Sequence, residues 1–168
     1  MKYTVGIGKY FGIPLRVHAT FPLVLIAYAI YAWHIGSASD VLPAVTLVLA
    51  VFACVVLHEF GHCLQARRYG IHFPDIVLFT FGGVARAESI PERPRHEILV
   101  AIAGPVVNFA IAALLFAGLA LSGTPPHGDG FWVSLAWINL LVGVFNLTPA
   151  FPMDGGRILR GVLATRRP

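Results

Sequence analysis

Five residues, His58-Glu59-Phe60-Gly61-His62, have the types and spacing to do chemistry. On a helix, histidines four residues apart lie about 40° apart around the axis and one turn along, so both imidazoles reach a single metal ion. Glu59 projects from the adjacent face, close enough to take a proton without being a ligand. A zinc ion in such a place lowers the pKa of its water towards about 7, and a neighbouring carboxylate can deprotonate that water as it attacks a carbonyl polarised by the metal. The H-E-x-x-H spacing therefore points to hydrolysis of a peptide bond. A catalytic zinc takes a third protein ligand and keeps its fourth position open. Asp154 is a candidate third ligand, the alternative being a solvated helix terminus. It ends an uncharged stretch, and Pro149, Pro152, Gly155 and Gly156 around it predict an unwound segment that turns back and aims one carboxylate.

The elements that must position these groups are apolar. The chain has 168 residues, 57% hydrophobic and 12% charged, against roughly 25% charged in soluble proteins. Four stretches approach or reach the roughly 20 apolar residues that cross a bilayer core: Ala19 to Ile35, Val41 to Leu57, Ile98 to Leu121 and Phe131 to Met153. Nothing from Pro43 to Ala66 forces a break, so the second stretch predicts a helix of roughly 35 Å that carries His58 and His62. Ionisable groups at the end of a membrane helix are unfavourable by several kcal/mol on most scales, which favours a function for them over side chains that merely snorkel beside Arg67 and Arg68. The expected fold is mainly α, a polytopic membrane bundle of about four transmembrane helices.

The twelve Lys and Arg residues predict its orientation. Lys2, Lys9 and Arg16 precede the first stretch; Arg67, Arg68, Arg86, Arg93 and Arg95 lie between the second and third; Arg157, Arg160, Arg166 and Arg167 follow the fourth. The other two connections carry Asp40 and Asp129 and no base. The positive-inside rule then puts both termini and the middle loop in the cytoplasm of a multi-pass protein of the cell membrane. Basic residues spread this way, without a patch of interleaved aromatics, argue for lipid contact and against nucleic acid as a partner. Cys54 and Cys63 fall on roughly opposite faces of one helix and cannot bridge.

Two segments read as strands. Tyr3, Val5 and Ile7 share one parity and Ile13, Leu15 and Val17 another, with Gly8 and Gly12 near a turn, which predicts a hairpin. Ile76 to Phe81 is β-branched and aromatic, Gly82-Gly83 breaks it, and "VARAE" alternates. A small β-sheet at the cytoplasmic face is expected, followed by a charged, Pro-broken lead, Ser89 to Glu97, into the third helix. With no long linker or repeat, residues 1–168 read as a single membrane-embedded domain.

"LHEFGH" together with "NLTPAFPMDGGR" and "AGPVVN", Ala103 to Asn108, resembles the site-2 protease family of intramembrane zinc metalloproteases. The resemblance spans roughly Thr4 to Leu163. It implies that His58, His62 and Asp154 bind one Zn2+ per chain, that Glu59 is the general base, and that the substrate is a transmembrane protein. It also implies that the strand around Phe79 to Ala85, with Gly82 and Gly83, offers an edge to an unwound substrate segment. Asn146, and less directly Asn108 and Asn139, match positions in or near the family's substrate cleft. An amide there can hold a peptide backbone or an oxyanion, while interhelical bonding is as good an account of Asn108 and Asn139. Many members continue past D-G-G-R with further transmembrane helices, so the chain reads as a minimal member or one cut after its catalytic core. The rival functions are a scaffold or chaperone that binds transmembrane segments without cutting, against which the intact Glu59 speaks, and a metal transporter, which wants polar residues along the full depth of the helices.

Overall fold

A computed structural model describes residues 3–80, 82–85 and 93–165. In chain order the elements are β1 (Thr4–Tyr10), β2 (Ile13–His18), α1 (Phe21–Ile35), α2 (Ala38–Arg67), β3 (Ile76–Phe79), β4 (Gly82–Ala85), α3 (Pro94–Leu121), α4 (Phe131–Asn146) and α5 (Asp154–Thr165). They fall into two compact units. One holds the strands, α1 and the first part of α2; the other holds the end of α2 with α3, α4 and α5.

In the first unit β1 and β2 form the expected hairpin, paired from Thr4 opposite His18 to Tyr10 opposite Ile13 with a register shift between Gly6 and Gly8 that leaves Ile7 out of the pairing and breaks the expected parity. Phe11 and Gly12 both take positive φ, 50° and 82°, the sign pattern of a two-residue turn whose twist suits the flanking strands. β2 runs parallel to β3, β3 pairs antiparallel with β4, and the order β1-β2-β3-β4 leaves β4 at an edge. The sequence places a break at Gly82-Gly83, but both glycines belong to β4, paired with Phe79 and Leu78. Glycine lacks a side chain yet keeps its N–H and C=O, so it can sit in a ladder, and Gly82 does so at a φ of 143° that other residues rarely adopt. The chain turns earlier, where the Thr80 hydroxyl donates to Thr20 O at 2.8 Å. Phe81 and the Arg86 to Glu88 part of "VARAE" lie outside the described residues, as does the Ser89 to Glu92 part of the charged lead. α1 packs on α2 through an edge-to-face contact of Phe21 and Phe52.

α2 and α3, with 30 and 28 residues, are long and apolar enough to cross a membrane; at 1.5 Å per residue they exceed the roughly 30 Å of a hydrocarbon core. Of the four expected spans these two meet the length. α1 and α4 are apolar but have 15 and 16 residues. The expected fourth stretch does not run as one helix to Met153: α4 ends at Asn146 and a new helix opens at Asp154. Pro149 and Pro152 between them have no N–H for a helical ladder.

In the second unit α3 packs against both α4 and α5. Leu119, Val133 and Ala136 are buried together, with Leu115 and Phe116 against them. Gly143 lies under the Phe109 ring. The apolar side chains Leu114, Leu121 and Leu141 stay exposed, as they would on surfaces covered by lipid rather than water.

Candidate metal centre

His58 and His62 stand one turn apart near the end of α2, and Asp154 is the first residue of α5; all three are buried. The helical continuation of α2 beyond Leu57 and the turn that reverses the chain before Asp154 bring them together. His58 Nε2 and His62 Nε2 are 3.1 Å apart, and each is 3.2 Å from Asp154 Oδ2.

The far side of each ring decides what these atoms can do. His62 Nδ1–H donates to Val100 O at 2.7 Å, and His58 Nδ1–H donates to Asn108 Oδ1. Both acceptors are oxygens, so each neutral imidazole carries its proton on Nδ1 and turns an Nε2 lone pair inward. Two lone pairs and a carboxylate oxygen thus face one point, and Asp154 Oδ2 is buried with no hydrogen-bond partner. Buried acceptors are rarely left that way. A tetrahedron with ligand bonds of about 2.0 Å has an edge of about 3.3 Å, so the triangle matches one face of a zinc site and leaves its fourth corner open. The nitrogen and oxygen donors suit zinc as well.

Two glycines let the rings sit so close to α3. A side chain at Gly61 would meet Ala103 O at 2.7 Å, so Gly61 allows the helices their approach. A Cβ at Gly104 would lie 2.3 Å from His62 Nε2 and 2.6 Å from His58 Nε2. Gly104 and Asn108 are four residues apart on one face of α3, the first clearing space for the histidines and the second orienting one of them. Asp154 is placed by the same means. A Cβ at Gly155 would meet Leu147 O at 2.2 Å, and one at Gly156 would meet Ala150 O at 2.8 Å. These glycines do not unwind the chain; they are helical and lie under the preceding turn. Farther along α5, Gly161 packs on Ile98 and Pro94 O, and Arg160 is paired with the buried Glu97, its Nε donating to Oε1 at 3.0 Å. Arg157 Nη1 lies 3.9 Å from Asp154 Oδ1.

Of the other site residues read from the sequence, Glu59 is half-buried beside His58 on α2. Asn108 and Asn139 are each 1% exposed. Asn108 Nδ2 donates to Asn139 Oδ1 at 3.0 Å, and Asn139 Nδ2 donates to Leu135 O at 2.9 Å. Both amides are therefore behind His58 rather than on a surface. Asn146 ends α4 and donates to Val142 O at 3.0 Å, outside that chain of bonds. Gly82 and Gly83 are in β4 of the first unit. Sequence reasoning missed Gly104, Val100 O and the Glu97–Arg160 pair. Gly104 left a signal, a glycine inside a helical motif; a backbone carbonyl leaves none.

The model of peptidase family M50 matches residues 46–129 and 127–168. The chain is 40% identical over 166 residues to the zinc metalloprotease MJ0392 of Methanocaldococcus jannaschii, covering 99% of this chain and 47% of that protein. It is 28% identical over 154 residues to stage IV sporulation protein FB of Bacillus subtilis, covering 90% of this chain and 49% of that one. The chain thus spans about half the length of these relatives. Its fold is similar to that of the site-2 protease from M. jannaschii, with a TM-score of 0.73 and 38% identity over 98% of this chain and 73% of the other.

Proposed function

Because the chain belongs to peptidase family M50, we propose that it is an integral membrane zinc endopeptidase, cutting a peptide bond in or near a transmembrane segment of a membrane protein. The observation that carries this reading is the buried, unpartnered Asp154 Oδ2 facing two imidazole nitrogens at 3.2 Å. His58, His62 and Asp154 hold the ion, through the groups a metal needs deprotonated. Zinc, when bound, supplies a Lewis acid that polarises the scissile carbonyl and makes water acidic enough to attack at neutral pH. Glu59 accepts that water's proton and returns it to the leaving amine. The half-buried Asn146 is proposed to contact the substrate, and β4, an edge strand with Gly82 and Gly83, to pair with an unwound substrate segment.

The bilayer is the proposed setting, with residues 1–168 as one membrane-embedded domain. Its supports are two helices of spanning length, many exposed apolar side chains and the charge asymmetry of the connections, which argues for cytoplasmic termini. A scaffold that only binds transmembrane segments has no use for a carboxylate beside the histidine pair. Glu59→Gln distinguishes the two. Zinc content of the purified variant should equal the parent's, while cleavage of a model transmembrane substrate should fall by about 100-fold or more. Cleavage by Glu59→Gln at the parental rate would remove Glu59 from the mechanism; chelator-resistant cleavage by the parent would remove zinc.

A further inference from the structure

We propose that Asn108 and Asn139 form a directional relay that sets the tautomer of His58, with the backbone carbonyl of Leu135 as its fixed end. The inference rests on the reading of His58 as a metal ligand. The relay runs from α2 through α3 to α4: His58 Nδ1–H to Asn108 Oδ1, Asn108 Nδ2–H to Asn139 Oδ1, and Asn139 Nδ2–H to Leu135 O.

An asparagine alone cannot fix a histidine. Turning its amide over exchanges oxygen for NH2 with almost no change of shape. A turned Asn108 would donate to His58 Nδ1, move the ring's proton to Nε2 and place a hydrogen where the metal ligand must be. The chain of bonds prevents this in steps. Leu135 O can only accept, so Asn139 must show it Nδ2. Asn139 then presents Oδ1 to Asn108, Asn108 turns Nδ2 to it and Oδ1 to His58, and His58 is left with its proton on Nδ1. Both asparagines are 1% exposed, so reversing either amide forfeits hydrogen bonds that water is poorly placed to replace. His62 needs no such relay, because Val100 O accepts from it directly. Asn139 touches neither histidine, yet it is a positioning residue for the site.

The alternative is that the two amides only tie helices together, in which case their loss lowers stability without altering the ring. Two measurements separate these on the purified full chain. Nitrogen-15 NMR of the imidazoles in metal-free protein reads the tautomer, and competition with a chromophoric chelator reads zinc affinity. The parent should show His58 protonated on Nδ1. Asn139→Leu should populate both tautomers and weaken zinc by about 10- to 100-fold. Asn108→Asp offers His58 an acceptor whichever way it turns, so Asn139 should cease to matter: the double variant Asn108→Asp/Asn139→Leu should bind zinc within about 3-fold of Asn108→Asp. Parental tautomer and affinity in Asn139→Leu would overturn the relay, as would a double variant as weak as Asn139→Leu. A parent that binds no zinc would sink the metalloprotease reading instead, and the metal-free tautomers would still decide the relay.

Discussion

α3 supports the candidate metal centre at two places, and it does so by different means. Around Val100, Gly104 and Asn108 it faces α2 with neutral hydrogen bonds and a missing side chain, all buried. At its first turns it faces α5 with Glu97, Ile98 and Pro94 O, where the Arg160 side chain of the ion pair is 45% exposed. The histidine end has partners with one allowed setting. The aspartate end is held by packing and by a charge that water can screen. The difference leads us to expect that, of the three proposed ligands, the two histidines are held fixed and Asp154 is the one that shifts when α5 is displaced.

The largest expected effect comes from the histidine end. In Gly104→Ala the new methyl would occupy space 2.3 Å from His62 Nε2 and 2.6 Å from His58 Nε2. Both contacts are with side-chain atoms and not with backbone, so the methyl is accommodated by displacing the rings at the expense of their Nδ1 hydrogen bonds, while the helical backbone is kept. Helical content by circular dichroism should therefore match the parent, while zinc affinity falls by more than about 100-fold. Retention of zinc by Gly104→Ala would break the comparison at its rigid end.

At the aspartate end the same operation should do less. A Cβ at Gly161 would lie 2.6 Å from Ile98 Cγ1 and 3.1 Å from Pro94 O, so Gly161→Ala must push α5 outward and take Asp154 part of the way. Zinc affinity should drop by about 10-fold, and Ile98→Ala in the same chain should recover part of it, since that change removes the Cγ1 the methyl meets and residues in contact are coupled. If Gly161→Ala abolished zinc binding as completely as Gly104→Ala, Asp154 would be as fixed as the histidines.

The same contrast governs what could be read in the sequence. H-E-x-x-H at helical spacing and an acid before two glycines are local patterns, so His58, His62 and Asp154 were legible as a set, and so was the hairpin, though not the shift between Gly6 and Gly8 that interrupts its parity. The misread glycines share a cause. Gly82 and Gly83 sit in a strand, and Gly155 and Gly156 in a helix, because a glycine marks either a turn or a close approach and the sequence does not say which. Asn108 and Asn139 were visible as amides in apolar helices, but their acceptor, Leu135 O, is backbone and has no signature. Glu97 reads as one more charge in a solvated lead, and only the course of α5 shows that it is buried against Arg160.

The smallest effect should follow loss of that charge pair. Arg160→Gln leaves Glu97, a buried side chain, without its guanidinium. A buried acceptor stripped of a charged partner is destabilising by about 1–3 kcal/mol, and the partial exposure of Arg160 puts the expected loss towards the low end. Thermal stability should decline while zinc affinity changes by about 3-fold or less, because Gly161 and the turn before Asp154 still seat α5. Glu97→Gln with Arg160→Gln should regain most of the stability, since two amides can bond where the ions were and no charge is left buried. High salt should weaken the parent's α5 docking and leave the histidine end unmoved, which zinc affinity and the His58 imidazole signals can each report. An Arg160→Gln variant that lost zinc as Gly104→Ala is expected to would show that the ion pair, and not the packing of glycines, sets the third ligand.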